Sequence, residues 1–465
     1  MTTTERLASL SLAGLFSLRM LGLFMIYPVF SVYAQQLRGA TPATIGLALG
    51  IYGLAQGLLQ IPFGILSDYW GRKPIIACGL VLFALGSMLA AVSTSIQGVI
   101  LGRLLQGCGA VGSAILALAA DLTREEHRTK AMAIIGMVIG LSFGVAVVIG
   151  PMLNSWIGVS GIFWFTSLLA ILGLGVLIWL VPRPQVQRHH RDTQPVPAMF
   201  GRVLRDGQLL RLNFSVFALH AVLTATFIAL PIALHSTAGL ASSQQWYLYL
   251  PSLIASVFLM VPFIIIAEKR QRMRQVLLGA IVVIAISELL MLKSAQHLIM
   301  LVLALIAFFT AFNLMEATLP SLVSKLAPAD GKGTAMGLFS SSQFLGIFFG
   351  GLGGGWAFGH HGIAGIFVLL SLLCLLWLII AWNTQPQYLS SRLLNIGTLD
   401  VEQAVKLELR LRQIAGIAEA IVIPGENTAY LKVDPQHLDE VKLQQLLEST
   451  AAPKAAVVQQ ISLST

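Results

Sequence analysis

Six ionisable side chains stand out inside long apolar stretches of this chain: Arg19, Arg103, His220, His235, Glu288 and Glu316. Each is costly in an apolar medium, so each is a functional candidate by default. The carboxylates and the imidazoles can take up and release protons when their surroundings change, whereas the two arginines are fixed positive charges. The arginines fall in the first half of the chain and the glutamates in the second, which sets opposite charges on two sides of whatever lies between. Glu316, in TAFNLMEATLP, is the first choice for a proton carrier. Glu288 has Lys293 near it as a simple ion-pair partner, and a packed neutral ring is the ordinary state of a histidine such as His220 or His235. A second group is compressed into GILSDYWGRKP at residues 64–74, where Asp68, Arg72 and Lys73 sit between two apolar runs. Its chemistry is ion pairing and helix capping, since a carboxylate suits the free N–H groups and partial positive charge of a helix N-terminus. Gly64 and Gly71 permit close backbone approach and a tight turn. No nucleophile–base constellation occurs, nor a phosphate-binding glycine loop followed by lysine, so neither an enzyme nor an ATP-driven pump is indicated.

The elements that hold these residues are written in the composition. With 465 residues, 56% of them hydrophobic, 11% charged, and a mean hydropathy of +0.82, the chain is too apolar for soluble domains alone. Apolar stretches of about 20 residues, each enough to cross about 30 Å of hydrocarbon as a helix, recur near 10–37, 43–66, 74–94, 97–121, 129–156, 161–182, 211–235, 243–268, 275–293, 297–325, 331–358 and 362–384. These are twelve expected transmembrane helices. The first is longer than a signal core and contains Arg19, so it is expected to stay. Cys78, Cys108 and Cys374 fall inside spans without CxxC spacing, which indicates neither disulfides nor metal sites.

Lys and Arg distribution sets the orientation. The loops after even-numbered spans carry seventeen bases, the loops after odd-numbered ones only Arg38 and Lys293. The basic loops, and with them both termini, are expected in the cytoplasm. The excess of positive charge is thus a topology signal and calls for no nucleic acid. The chain also repeats itself. PFGILSDYWGRKPI at 62–75 aligns without a gap on PFIIIAEKRQRMRQ at 262–275, matching Asp68 with Glu268 and Arg72 with Arg272, and GVSGIF at 158–163 aligns on GIAGIF at 362–367. Two parallel copies, 1–182 and 211–385, joined by a basic linker at 183–210, describe two six-helix bundles around a central cavity.

Gly64-Ile65-Leu66-Ser67-Asp68-Tyr69-Trp70-Gly71-Arg72-Lys73 resembles the loop between helices 2 and 3 of the major facilitator superfamily, G-x-L-x-D-x-x-G-R-K, at every fixed position. Arg103, Gln106 and Gly107 resemble that family's helix-4 arginine motif. Gly140, Gly144, Gly150 and Pro151 resemble its helix-5 antiporter motif, with Asn154 and Ser155 where antiporters have a glycine pair. The resemblance implies the major facilitator fold and a role for Asp68 in capping helix 11 of the other half, near 331–337. It also implies that Arg72 pairs with Asp121 at the end of helix 4. Gly64, Asp68, Gly71, Arg72, Lys73, Asp121 and Glu268 would then form a latch that closes the cytoplasmic side and breaks as that side opens.

Residues 391–465 change character, with seven bases and nine acids. RLLNIG, AEAIVIP, TAYLKVD and AAVVQQISL read as strands, VEQAVKLELRLRQI and LDEVKLQQLLES as helices. The order βαββαβ is ferredoxin-like and cytoplasmic. It resembles the small heavy-metal-associated domain, but Ile396-Gly397-Thr398-Leu399 replaces the cysteine pair, so no soft-metal site is expected. Its acidic balance suits docking on the basic loops; ligand sensing and self-association are the other roles open to it.

The resulting expectation is a secondary transporter of the bacterial inner membrane, exchanging small molecules for protons, with no cofactor beyond the coupling proton and with lipid and a small-molecule substrate as partners. Arg19, Arg103, His220, Glu288 and Glu316 are its candidate coupling or substrate residues. Phe24, Met25, Tyr27 and Phe30, with Phe308, Phe309 and Phe312, would line an apolar cavity. A uniporter or symporter, or a sensor signalling through the C-terminal domain without flux, are the alternatives.

Overall fold

Thr2 opens the first helix by a capping box with Glu5, each side chain bonding the other's backbone N–H. The computed structural model describes residues 2–182, 199–236, 239–293, 297–328, 331–385, 390–397, 399–425, 428–434 and 437–450. The first expected span is two helices, α1 (Thr3–Phe24) and α2 (Tyr27–Ala34), with Pro28 in the first turn of the second. Helix α3 (Pro42–Trp70) follows a Thr41 cap, and Gly71, at φ 94°, turns the chain directly into α4 (Arg72–Val92). A side chain would be strained in that conformation, which is the reason for glycine there. The fourth span is also divided, into α5 (Ile96–Cys108) and α6 (Gly112–Asp121).

Helix α7 (Glu125–Trp179) runs for 55 residues and is broken by left-handed backbone at Gly158 (φ 65°); α13 (Lys332–Ala381) runs for 50 and is broken in the same way at Gly362 (φ 64°). Both glycines lie in the repeated GVSGIF and GIAGIF segments. Between these come α8 (Phe200–Arg205), a short helix in the expected linker, then α9 (Gly207–Ser236), α10 (Trp246–Lys269), α11 (Met273–Lys293) and α12 (Leu298–Leu326). Among the described residues ten helical stretches are long and apolar enough to cross a membrane.

The two halves of the helical part meet along one seam. Four glycines of α3, at 46, 50, 53 and 57, lie against the backbone of α13. A Cβ placed on Gly50 would stand 2.7 Å from the Phe348 carbonyl, one on Gly351 2.5 Å from that of Gly46, and one on Gly355 2.7 Å from that of Pro42. The other stripe of α13, Gly346, Gly350 and Gly354, packs on α9 of its own half. Small residues let backbones approach where lipid supplies no hydrophobic drive between helices. Tyr27 against Phe227 (ring centroids 5.9 Å) and Phe143 against Phe312 (5.5 Å) are further contacts between the halves. Past Gly57, towards the Gly71 turn, α3 turns to its own half instead: Gly64 packs on Ser113.

The described part of the C-terminal region has its own apolar core, including Ala404, Leu407, Leu411, Ala420 and Leu431. Strands β1 (Ser390–Asn395), β2 (Ile417–Val422) and β3 (Thr428–Val433) form an antiparallel sheet in the order β1-β3-β2, with α14 (Val401–Arg412) and α15 (Glu440–Thr450). The expected last strand, in AAVVQQISL, lies outside the described residues, as does 183–198 of the expected linker.

Candidate functional site

The α3–α4 turn builds its cluster from residues already adjacent. Arg72, at the start of α4, reaches Asp68 in the last turn of α3, Ser67 Oγ at 2.7 Å and Asp121 Oδ2 at 3.1 Å. Arg72 and the Asp121 carboxylate are buried, and Asp68 is one-quarter exposed. Ser67 in turn donates to the Gly64 carbonyl at 2.6 Å. Lys73 donates to the Val181 carbonyl beyond α7, and Arg124 pairs with Glu5 at 2.9 Å. The cluster therefore ties the ends of α1, α3, α4, α6 and α7 together within one half. Asp68 makes its hydrogen bond to Arg72 and not to the first turn of α13. The expected cap is not made in this conformation, because the halves meet at the far end of α3 and not at this one.

The second copy is wired with reversed polarity. Glu268, at the position of Asp68, takes Lys325 at the end of α12 at 2.9 Å through both carboxylate oxygens. In the first half an arginine on the turn meets an acid on α6; in the second an acid on α10 meets a base on α12. The second pair is half-exposed, a setting in which an ion pair contributes little.

Deeper in the bundle, Arg103 is fully buried and bonded to neutral groups: Ala48 and Leu49 carbonyls at 3.3 and 3.4 Å and Gln106 Oε1 at 3.0 Å, with its guanidinium 5.1 Å from the centre of the Tyr52 ring. Gln106 passes the chain on to Ser87 at 2.7 Å. Arg19, 2% exposed, donates to Tyr52 Oη at 3.1 Å and to Gln56, while its Nε and Nη1 have no partner.

Across the seam, His220 Nδ1 donates to the Val216 carbonyl at 3.1 Å. That leaves Nε2 of the neutral ring as an acceptor, and Gln343 Nε2 lies 2.8 Å from it. The same amide is 3.4 Å from Glu316 Oε1, and Glu316 Oε2 is 3.6 Å from His220 Nε2. The Glu316 side chain is one-third exposed, so water reaches it. Glu288 is different: fully buried, it accepts from Thr226 at 2.8 Å and does not meet Lys293. Of the helix-5 residues, Gly150 and Pro151 lie where α7 crosses α1, Gly150 against the Met25 carbonyl, whereas Gly140 and Gly144 face open space.

Sequence reasoning thus named the turn residues, and named Glu316 and His220 as separate candidates, but passed over three groups: the seam glycines, the Tyr52–Gln56 row beside Arg19, and Gln343 between His220 and Glu316. The first had a signal, glycine at spacings of four, three and four in α3 and GGLGGG in α13. The other two are ordinary polar residues whose neighbours only the fold supplies.

Residues 12–351 match the family model of the Major Facilitator Superfamily. The chain is 43% identical over 448 residues to the inner membrane transport protein YajR of Escherichia coli, covering 96% of this chain and 98% of that one. It is 27% identical over 345 residues to the multidrug resistance protein MdtH of Yersinia enterocolitica, covering 73% and 83%. In fold it is similar to a bacterial homologue of the human lysosomal transporter Spinster, solved in an inward-facing and occupied conformation, with a TM-score of 0.68 at 13% identity over 83% of this chain and 97% of that one. With its family match, its apolar helices and a relative of this identity along nearly its whole length, the chain belongs to the major facilitator superfamily and is a membrane transporter.

Proposed function

We propose that this transporter resides in a bacterial inner membrane and exports small molecules in exchange for protons by alternating access. The observation that carries the reading is the one-sided meeting of the halves. They are joined along α3 and α13 from Pro42 to Gly57, while the Asp68–Arg72–Asp121 cluster at the other end is satisfied within its own half. With the basic loops in the cytoplasm, this is an inward-open state. Parting the seam and bringing the cluster against the first turn of α13 is the reciprocal state, in which Asp68 caps that helix and the loop acts as a latch.

The helices of 55 and 50 residues split at Gly158 and Gly362 are read as two crossings each, which makes twelve spans in two six-helix bundles. The β1-β3-β2 order supports the ferredoxin-like reading of this region. Glu316 is the proton carrier of this scheme. Gln343 donates to both the carboxylate and the neutral imidazole in the deprotonated state, and a proton arriving on either group forces that amide to give up one of them. The likeness to YajR supports the membrane assignment, and that to MdtH supports efflux.

The test is proton movement in sealed vesicles carrying the purified protein under an imposed pH gradient, with cationic, neutral and anionic compounds added in turn. Gradient dissipation that a compound triggers and Glu316→Gln abolishes is the expected result. Flux of a compound without proton movement would replace antiport by uniport; no flux at all would favour a sensor.

A further inference from the structure

Arg19 is a buried cation without a counter-ion. Its side chain is 2% exposed, it makes no ion pair among the described residues, and two of its guanidinium nitrogens, Nε and Nη1, have no hydrogen-bond partner. Its contacts are neutral: Tyr52 Oη, Gln56 Oε1 and the face of Phe83 at 5.9 Å. Arg103, also buried and also without an acid, shares Tyr52 with it. Two guanidinium charges therefore meet around one phenol, in a half whose mid-spans hold no carboxylate. Arg103 is met by two backbone carbonyls and an amide, whereas Arg19 keeps two buried donors unsatisfied, and an anion is the group that completes such a site best. Gln56 Nε2 donates to Gln60 Oε1 at 3.1 Å, and Gln60 lies one turn past Gly57, the last glycine of the seam, so a row of buried amides runs along α3 from Gln60 to Arg19. Tyr52 itself packs on Phe344 of α13 (6.2 Å), where the halves meet.

We propose that Arg19, Tyr52, Gln56 and Gln60 form the binding site for the charged group of an organic anion, a carboxylate or a group of like geometry. The two free guanidinium donors take the anion, the amides replace its water, and Arg103 adds the field of a second charge. The assignment rests on the transporter reading and names its substrate class. Both two-pronged edges of the guanidinium include Nη2, which serves Tyr52 and Gln56, so Nε and Nη1 offer an anion separate charge-assisted hydrogen bonds.

The experiment compares three ligands of one shape, 1-naphthoate, 1-naphthamide and 1-naphthylmethylamine, binding to the full-length protein in nanodiscs of zwitterionic lipid, read by tryptophan fluorescence. Wild type is expected to bind the naphthoate about tenfold or more tighter than the other two. Arg19→Gln is expected to bind all three alike. Should that variant fail to fold, Gln56→Glu serves instead: it supplies an internal counter-ion, and the anion preference is expected to vanish as thermal stability rises. Equal affinities in wild type, or a naphthoate preference that survives both substitutions, overturn the site. Vesicle flux of the same compounds separates the two readings: anion binding that depends on Arg19 without flux refutes transport and keeps the site, while flux of the amine alone keeps transport and refutes the site.

Discussion

The guanidinium of Arg72 lies 3.1 Å from the buried carboxylate of Asp121, 49 residues away, and holds the end of α6 to the start of α4. Removing one partner of a buried pair strands the other charge, at a cost of about 3–5 kcal/mol. Arg72→Ala is expected to lower the thermal midpoint by several degrees and to reduce flux about tenfold or more, measured by unfolding in detergent and by vesicle transport. Arg272→Ala, at the matching position of the second half, is expected to change neither.

The seam tolerates no side chain. Gly46→Leu is expected to drive α3 and α13 apart, so that the distance between spin labels at Ala43 and His360 lengthens in electron-resonance spectra. An unchanged distance would mean that the helices accommodate the leucine without parting.

Glu288 and Glu316 are expected to respond oppositely to loss of charge. Glu288 is fully buried with no cation beside it, and its Oε2 has no partner. Glu288→Gln keeps the acceptor for Thr226 and removes a costly ionisable group, so stability is expected to hold or rise and transport to persist. Glu316→Gln is expected to fold normally and to lose proton-linked transport. Thermal midpoints and vesicle flux of the two variants side by side check both statements.

Lys432 gives the C-terminal region a pH-dependent hold on the bundle. It is 4% exposed and donates to the Leu326 carbonyl at the end of α12 at 2.9 Å, beside the Arg202–Glu419 pair at 3.1 Å. Burial holds its ammonium below the usual lysine range, against the favourable charges of Glu419 and Asp206 and alongside the unfavourable ones of Arg202 and Lys332. A lysine lowered in the docked state binds fewer protons there than when free. Docking is therefore weakest where both states are protonated and strengthens as pH rises through the docked value towards the free one. Hydrogen exchange of β3 is expected to slow between neutral pH and the free-lysine range, after correction for intrinsic rates, and Lys432→Gln is expected to abolish that dependence.

Much of this was legible in the sequence, for identifiable reasons. Apolar run length set the helices, and the charged turn with Asp68 and Arg72 stood out against a nearly charge-free background, while the pairing of Arg72 with Asp121 came from the family resemblance. The breaks at Met25–Ile26 and Gly109–Val111 were not legible, since neither disturbs hydropathy. The Asp68 cap on α13 was expected and is absent from this conformation because a sequence does not say which of two states is populated. Glu288 was assigned to Lys293 by proximity along the chain, whereas the fold gives it Thr226 from α9. Arg19 was noticed as a charge; that its partners are neutral could only be learned from α3 beside it.

From Gly46 to Gly53 the seam between α3 and α13 is mostly glycine laid on backbone carbonyls, and Tyr52 against Phe344 is a ring contact across it. Where glycine meets backbone the surfaces part with few rotamers having to change, and what is lost is mostly dispersion attraction that falls off smoothly with distance. The halves can thus swing like a hinge with no catch on that face, leaving the timing of each cycle to the ion pairs at the opposite end.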